Sequence, residues 1–122
     1  NIISTSVKVP LNGLGVSNTI RGAVASWSKT MANELGSFGI TVNNVLPGAT
    51  NTGRLKSIIE NKAAKTNKEK AEVTKAMQGV IPMARFGEPN EIANVAAFLC
   101  TPAAAYVSGQ SIAVDGGRTP SL

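Results

Sequence analysis

Three serines, one arginine and one turn hold most of the chemistry this chain can attempt. Ser17 and Arg21 stand four residues apart, the spacing that puts two side chains on one face of a helix. Arg21 offers hydrogen bonds and a fixed positive charge, because a guanidinium keeps its proton at any ordinary pH. Ser17 reads equally well as a polar residue capping the start of that helix. Ser4 and Ser6 differ by two, so on a strand they share one face, and either can donate a hydrogen bond to a carbonyl oxygen. The turn is Pro47-Gly48-Ala49-Thr50-Asn51-Thr52, which follows a β-branched run; in open parallel sheets, ligands bind beyond the carboxyl ends of the strands. There is no histidine, which excludes a serine–histidine relay, and with a single cysteine no Cys/His cluster can hold a transition metal.

These residues need elements to position them. Ile2 to Val7 reads as a short strand, followed by a loop with Pro10, Gly13 and Gly15. Gly13-Leu14-Gly15 does not extend to a dinucleotide fingerprint, because the third glycine position is Asn18. From Ser17 to Leu35 the spacing of Ile20, Val24, Trp27, Met31 and Leu35 predicts a helix with one buried apolar stripe, ended by Gly36 and Gly39. Ile40 to Val45 suits a strand, and Arg54 to Gly79 one or two helices interrupted near Thr66-Asn67. Pro89 sits in the first turn of a helix whose apolar face is Ile92, Val95, Ala96 and Leu99. Cys100 ends that helix and is expected in the core. Ser111 to Val114 is the last strand, closed by Asp115-Gly116-Gly117. Strands alternating with helices in this way predict an α/β fold on a parallel sheet.

At 122 residues the chain is one domain or part of one, and a hydrophobic fraction of 43% is ordinary for a globular protein. Its apolar runs are too short to span a bilayer. The net charge of +5 is local. Arg54 to Lys75 holds seven basic and three acidic residues, a net +4, without interleaved aromatics, which reads as a solvated helical face and not a nucleic-acid site. Without a basic–apolar leader at its start and with a cysteine that cannot pair within the chain, the protein is expected in a reducing cytoplasm.

The stretch from Ile81 to Leu122, IPMARFGEPNEIANVAAFLCTPAAAYVSGQSIAVDGGRTPSL, resembles the C-terminal end of short-chain dehydrogenases/reductases, nearest in appearance to 3-oxoacyl-(acyl-carrier-protein) reductases. The likeness continues upstream through Arg21-Gly-Ala-Val, Ala32-Asn-Glu-Leu-Gly and Ile40-Thr-Val-Asn-Asn-Val-Leu-Pro-Gly. It implies that residues 1–122 are the C-terminal half of a single dinucleotide-binding domain, carrying the last three strands of a Rossmann-type, doubly wound parallel sheet, with a substrate lid over about residues 53–80. Such a half should not fold alone, and needs its N-terminal half or a partner. The implied reaction is hydride exchange between NAD or NADP and a carbonyl or hydroxyl substrate such as an acyl thioester, in a homodimer or homotetramer that binds neither nucleic acid nor membrane.

The resemblance also assigns roles. Its tyrosine–lysine pair falls on Ser17 and Arg21, so the phenol that would protonate the substrate oxygen is replaced by a shorter, far less acidic hydroxyl. Its carbonyl-orienting serine falls on Ser6 by local text or on Ser4 by separation from residue 17, with Ser6 preferred. Pro47, Gly48, Ala49, Thr50 and Thr52 correspond to the turn that meets the nicotinamide carboxamide, and Arg21 to the residue on the ribose. Leu55, Ile58, Ile59, Met77, Val80 and Ile81 would line the lid. A basic lid suits an anionic partner such as an acyl carrier protein or a coenzyme A thioester. Two rivals remain: a pseudoenzyme that kept the scaffold, and a split protein whose other half is a separate chain.

Overall fold

The computed structural model describes residues 1–120; Ser121 and Leu122, the end of the C-terminal motif, lie outside them. Strand β1 (Asn44–Pro47) pairs in parallel with β2 (Ser111–Val114), in the register Asn44 to Ser111 through Pro47 to Val114. On the other edge of β1 the first residues of the chain add a fragment of ladder: Val45 N–H donates to the Asn1 carbonyl at 2.8 Å and Ile3 N–H to the Val45 carbonyl at 2.9 Å. β1 is thus flanked on both edges. Val45 and Leu46 are buried, the pattern of a parallel strand covered on both faces.

Helix α1 (Gly15–Leu35) covers one face and α4 (Pro89–Leu99) the other. The alternation along β1 makes this visible. Asn44 shares a polar cluster with Ser28 of α1, whereas Val45 lines a cavity of about 240 Å³ with Ala96 and Leu99 of α4. Between β1 and α4 run α2 (Gly53–Thr66) and α3 (Lys70–Gly79), broken by Asn67 in the left-handed region at φ 51°. Leu55, Ala63, Val73 and Ile81 are buried beneath this pair. The surface ion pair Lys70–Glu60, at 2.8 Å, spans the two helices, and Lys68–Glu72 joins the connecting residues to α3.

The polar cluster is the unusual part of the core. The Asn1 side-chain amide donates to Ser28 Oγ at 3.3 Å and to Asn44 Oδ1 at 3.1 Å, and Asn44 Nδ2 donates to Ser111 Oγ at 3.1 Å. Three strand segments and α1 are thereby stapled together at the amino end of the sheet. Ser28 and Asn44 are 1% and 3% exposed, so each depends on the others for its hydrogen bonds.

Four expectations need correction. The strand over Ile2 to Val7 is only the bridge at Ile2; Ser4 leaves it extended and its Oγ accepts the Ser6 N–H at 3.1 Å, starting a 3₁₀ turn over Thr5–Val7. A local side-chain bond has displaced the ladder, and the argument that Ser4 and Ser6 share a strand face goes with it. The second strand begins at Asn44, not Ile40, because Val42 and Asn43 are engaged by the loop before β2: Gly109 N–H donates to the Val42 carbonyl at 2.8 Å and Asn43 Nδ2 to the Val107 carbonyl at 2.7 Å. The apolar stripe of α1 is only partly buried. Ser28 and Ala32 are buried, Val24, Met31 and Leu35 are half-buried, and Ile20 and Trp27 are 59% and 54% exposed. Cys100 is exposed, one position beyond the Ile92–Leu99 face.

Asn44→Ala should leave the Asn1 amide and the Ser111 hydroxyl without their shared partner and destabilise the full-length protein by about 1–3 kcal/mol, read as a lower urea midpoint. An unchanged midpoint would mean the cluster contributes nothing.

Candidate functional site

Both strands end on the same side, and the candidate site is built there. Gly48 follows β1 directly and its N–H donates to the Val114 carbonyl at 3.0 Å. A Cβ on Gly48 would lie 2.6 Å from Asp115 Cβ and 2.8 Å from its Cα, so only glycine lets the two chains pass this closely. The turn is then stitched on its other side to Gly87: Gly87 N–H donates to the Ala49 carbonyl at 3.0 Å and Asn51 N–H to the Gly87 carbonyl at 2.7 Å. Thr52 caps α2, its Oγ1 accepting the Leu55 N–H at 3.4 Å. Among the described residues the N–H groups of Ala49, Thr50 and Thr52 have no acceptor, leaving backbone donors at the carboxyl end of the sheet.

Ser17 and Arg21 do meet. Arg21 Nε donates to Ser17 Oγ at 3.2 Å, and its Nη1 donates to the Ile3 carbonyl at 2.9 Å. Both line a groove of about 820 Å³ with Ile2, Ile3, Leu14 and Ile20. Ser17 is not the cap expected of it; Leu14 holds that position and the helix already includes Gly15. The guanidinium therefore pins the start of the chain to α1 while polarising the Ser17 hydroxyl. Beyond Ile3, Ser4 is occupied as the cap of the 3₁₀ turn, whereas Ser6 is 4% exposed and its hydroxyl has no partner among the described residues. No hydrogen bond joins these residues to the 47–52 turn among the described residues.

Sequence reasoning passed over the supports of the turn. Asp115 accepts N–H bonds from Gly117 at 3.0 Å and Thr119 at 2.8 Å. Its partial burial pulls the carboxyl pKa upward, but the Thr119 side chain and the backbone N–H groups of Thr119, Gly117 and Arg118 outweigh this and hold it below its ordinary value. Asn51 Nδ2 donates to Glu88 Oε1 at 3.1 Å, and Glu88 opens α4 in a capping box with Glu91, whose Oε2 accepts the Glu88 N–H at 2.7 Å. Arg85 clamps Glu91 through two bonds of 2.7 and 2.6 Å. The signal was in the text, since Glu88-Pro-Asn-Glu91 has capping-box spacing.

A family profile described as Enoyl-(Acyl carrier protein) reductase matches residues 1–119. A tropinone reductase homolog from Arabidopsis thaliana is 41% identical over 99 residues, which are 81% of this chain and 29% of that protein. The crystal structure of YwfH, an NADPH-dependent reductase involved in bacilysin biosynthesis, superposes with a TM-score of 0.93 at 32% identity, over 100% of this chain and 46% of the other. A 3-ketoacyl-(acyl-carrier-protein) reductase from Brucella melitensis complexed with NADH gives 0.80 at 34% identity, over 98% and 43%. The chain spans under half the length of each of these proteins. No helix among the described residues is long and apolar enough to cross a membrane.

The Arg85 clamp, helped by the Glu88 N–H and opposed by burial, holds the Glu91 carboxyl down at about 2. An unfolded glutamate titrates near ~4.3. The folded value is the lower, so the clamp's contribution is present above the unfolded value and is lost as pH falls through about 2. A carboxyl ¹³C titration of the full-length protein should find Glu91 still ionised at pH ~3, and Arg85→Ala should move it up toward the ordinary value. An ordinary Glu91 midpoint in the unaltered protein would dissolve the clamp.

Proposed function

This chain belongs to the short-chain dehydrogenase/reductase family, and from that premise we propose that the complete protein is an oxidoreductase exchanging hydride between NAD(P)H and a carbonyl or hydroxyl compound. The observation that carries this reading is the Pro47–Thr52 turn: a glycine forced against Asp115, with three free backbone donors at the strand ends. Such donors fit a carboxamide or a pyrophosphate. Gly48, Ala49, Thr50 and Thr52 would hold the nicotinamide end, with Pro47 fixing the exit of β1. The dinucleotide, when bound, supplies the hydride that adds to the carbonyl carbon. What falls to this chain is the oxygen, which gains a proton as the carbon gains hydride.

Ser17 is the residue on the tyrosine position, and its oxygen already accepts from Arg21, so its own hydrogen is free to donate. The guanidinium lowers the cost of negative charge on that oxygen, as a lysine does beside a phenol. Arg21 has less to offer ribose, because it is committed to Ser17 and Ile3. Ser6, buried and unpartnered, is the better carbonyl-orienting serine, since Ser4 is occupied as a cap. The α2–α3 pair follows the turn as a lid; Ile58 and Val80 are its exposed apolar residues, whereas Leu55 and Ile81 are spent on its own packing. Its lysines favour an anionic substrate such as a 3-oxoacyl thioester. Exposed Trp27 on α1, away from the Ser17 groove, suits the contact of a homo-oligomer, and an exposed free thiol suits a reducing cytoplasm.

A second reading, a dinucleotide-binding subunit without turnover, is favoured by the missing phenol alone. One experiment separates them. Ser17→Tyr with Arg21→Lys in the full-length protein should raise reduction of a β-ketoacyl thioester by at least about tenfold, within the 10²–10⁴-fold span of general acid catalysis. A starting rate already typical of a tyrosine-bearing reductase would contradict the missing donor. No gain despite measured NADPH binding would favour the second reading.

A further inference from the structure

The Asp115-Gly116-Gly117 turn touches two elements that the proposed function treats separately. On one side Asp115 walls in Gly48 and so bounds the Pro47–Thr52 turn. On the other, a Cβ at Gly116, where φ is 66°, would lie 2.8 Å from Ile81 Cγ2 and 3.3 Å from Met83 Cβ, and Met83 N–H donates to the Gly116 carbonyl at 3.2 Å. Ile81 to Met83 is the segment that leaves α3. The α2–α3 pair lies between these two contacts: α2 begins at Gly53, shortly after Gly48, and α3 ends at Gly79, just before Ile81. One turn touches the chain on either side of the helical pair.

The carboxylate of Asp115 shapes that turn. Its two oxygens accept separate N–H groups, Gly117 at 3.0 Å and Thr119 at 2.8 Å, folding the chain back at the end of β2. Charge-assisted bonds to backbone N–H groups are among the stronger hydrogen bonds available. Without them, the backbone at residues 115–117 is free to relax away from both Gly48 and Ile81.

We infer that Asp115 is a positioning residue that sets the dinucleotide turn and the exit hinge of the lid together, so that dinucleotide and carbonyl sites are shaped by one side chain. This rests on the reading of Pro47–Thr52 as the dinucleotide turn. Asp115 acts through the backbone it holds, not by contact with the reacting atoms. Its removal should raise the KM of both substrates and leave kcat nearly unchanged, because Ser17 and Arg21 are held by α1 and Ile3 instead.

Steady-state kinetics of full-length Asp115→Ala and Asp115→Asn, at a temperature where urea unfolding shows both folded, provide the test. A displaced turn costs binding steeply, so the alanine variant should raise the KM for NADPH and for the carbonyl at least about fivefold, with kcat within about threefold. The asparagine variant, which keeps one acceptor oxygen, should fall between alanine and wild type. If alanine does not fold, the asparagine variant decides alone, with both KM values raised at least about twofold. Unchanged KM values in a folded variant, or a loss confined to kcat, would overturn the inference. A wild-type protein that binds no dinucleotide would instead remove the reading beneath it.

Discussion

At the carboxyl end of the sheet, β1 and β2 are brought so close that Gly48 has no room for a side chain beside Asp115. That approach is what the rest of the site depends on. Parallel pairing from Asn44 to Pro47 delivers Gly48 to the end of β2, and the bond from Gly48 N–H to the Val114 carbonyl continues the ladder one step beyond the strand. From there the chain must turn, and Gly87 receives it. Among the described residues the strand-end donors of Ala49, Thr50 and Thr52 are left with no acceptor of their own, the bonds on either side having already fixed the turn. Preorganisation of this kind is how a backbone binds an anion or an amide without paying to order itself first.

The amino end of the same sheet is held by different physics. Asn1, Ser28, Asn44 and Ser111 form a part-buried polar chain linked by side-chain hydrogen bonds, with Ser28 and Asn44 its buried members. Apolar residues would fill that space as well, but only a directional network specifies which strand residue faces α1. Arg21 repeats the logic nearer the site by joining the first residues of the chain to α1. The two ends divide the labour: the polar chain fixes register, and the glycine contact converts register into a turn of defined shape.

Much of this was legible in order along the chain where the governing interactions are local. Pro89 starting α4, the break at Asn67 and the strand Ser111–Val114 all follow from cap, turn and β-branched signals within a few residues. The spacing of Ser17 and Arg21 foretold their contact for the same reason. What could not be read was non-local. Gly48 and Asp115 meet across most of the chain, and nothing near either names the other. The α1 stripe misled because the buried positions of the helix are the small residues Ser28 and Ala32, with Ser28 Oγ taking the Asn1 amide, and not the apolar residues Ile20 and Trp27. At the N-terminus, a serine hydroxyl competing for a backbone N–H ended a strand that β propensity alone would have continued.

The most direct test of the account is binding at the glycine contact. Full-length protein and Gly48→Ala, titrated with NADPH and followed by nicotinamide fluorescence, should differ by at least about tenfold in dissociation constant, because the added methyl must push the turn off Asp115. The account predicts saturable binding by the unaltered protein and this loss in a variant whose far-ultraviolet circular dichroism is unchanged. Equal affinity in the two proteins, or no binding by the unaltered one, would contradict it.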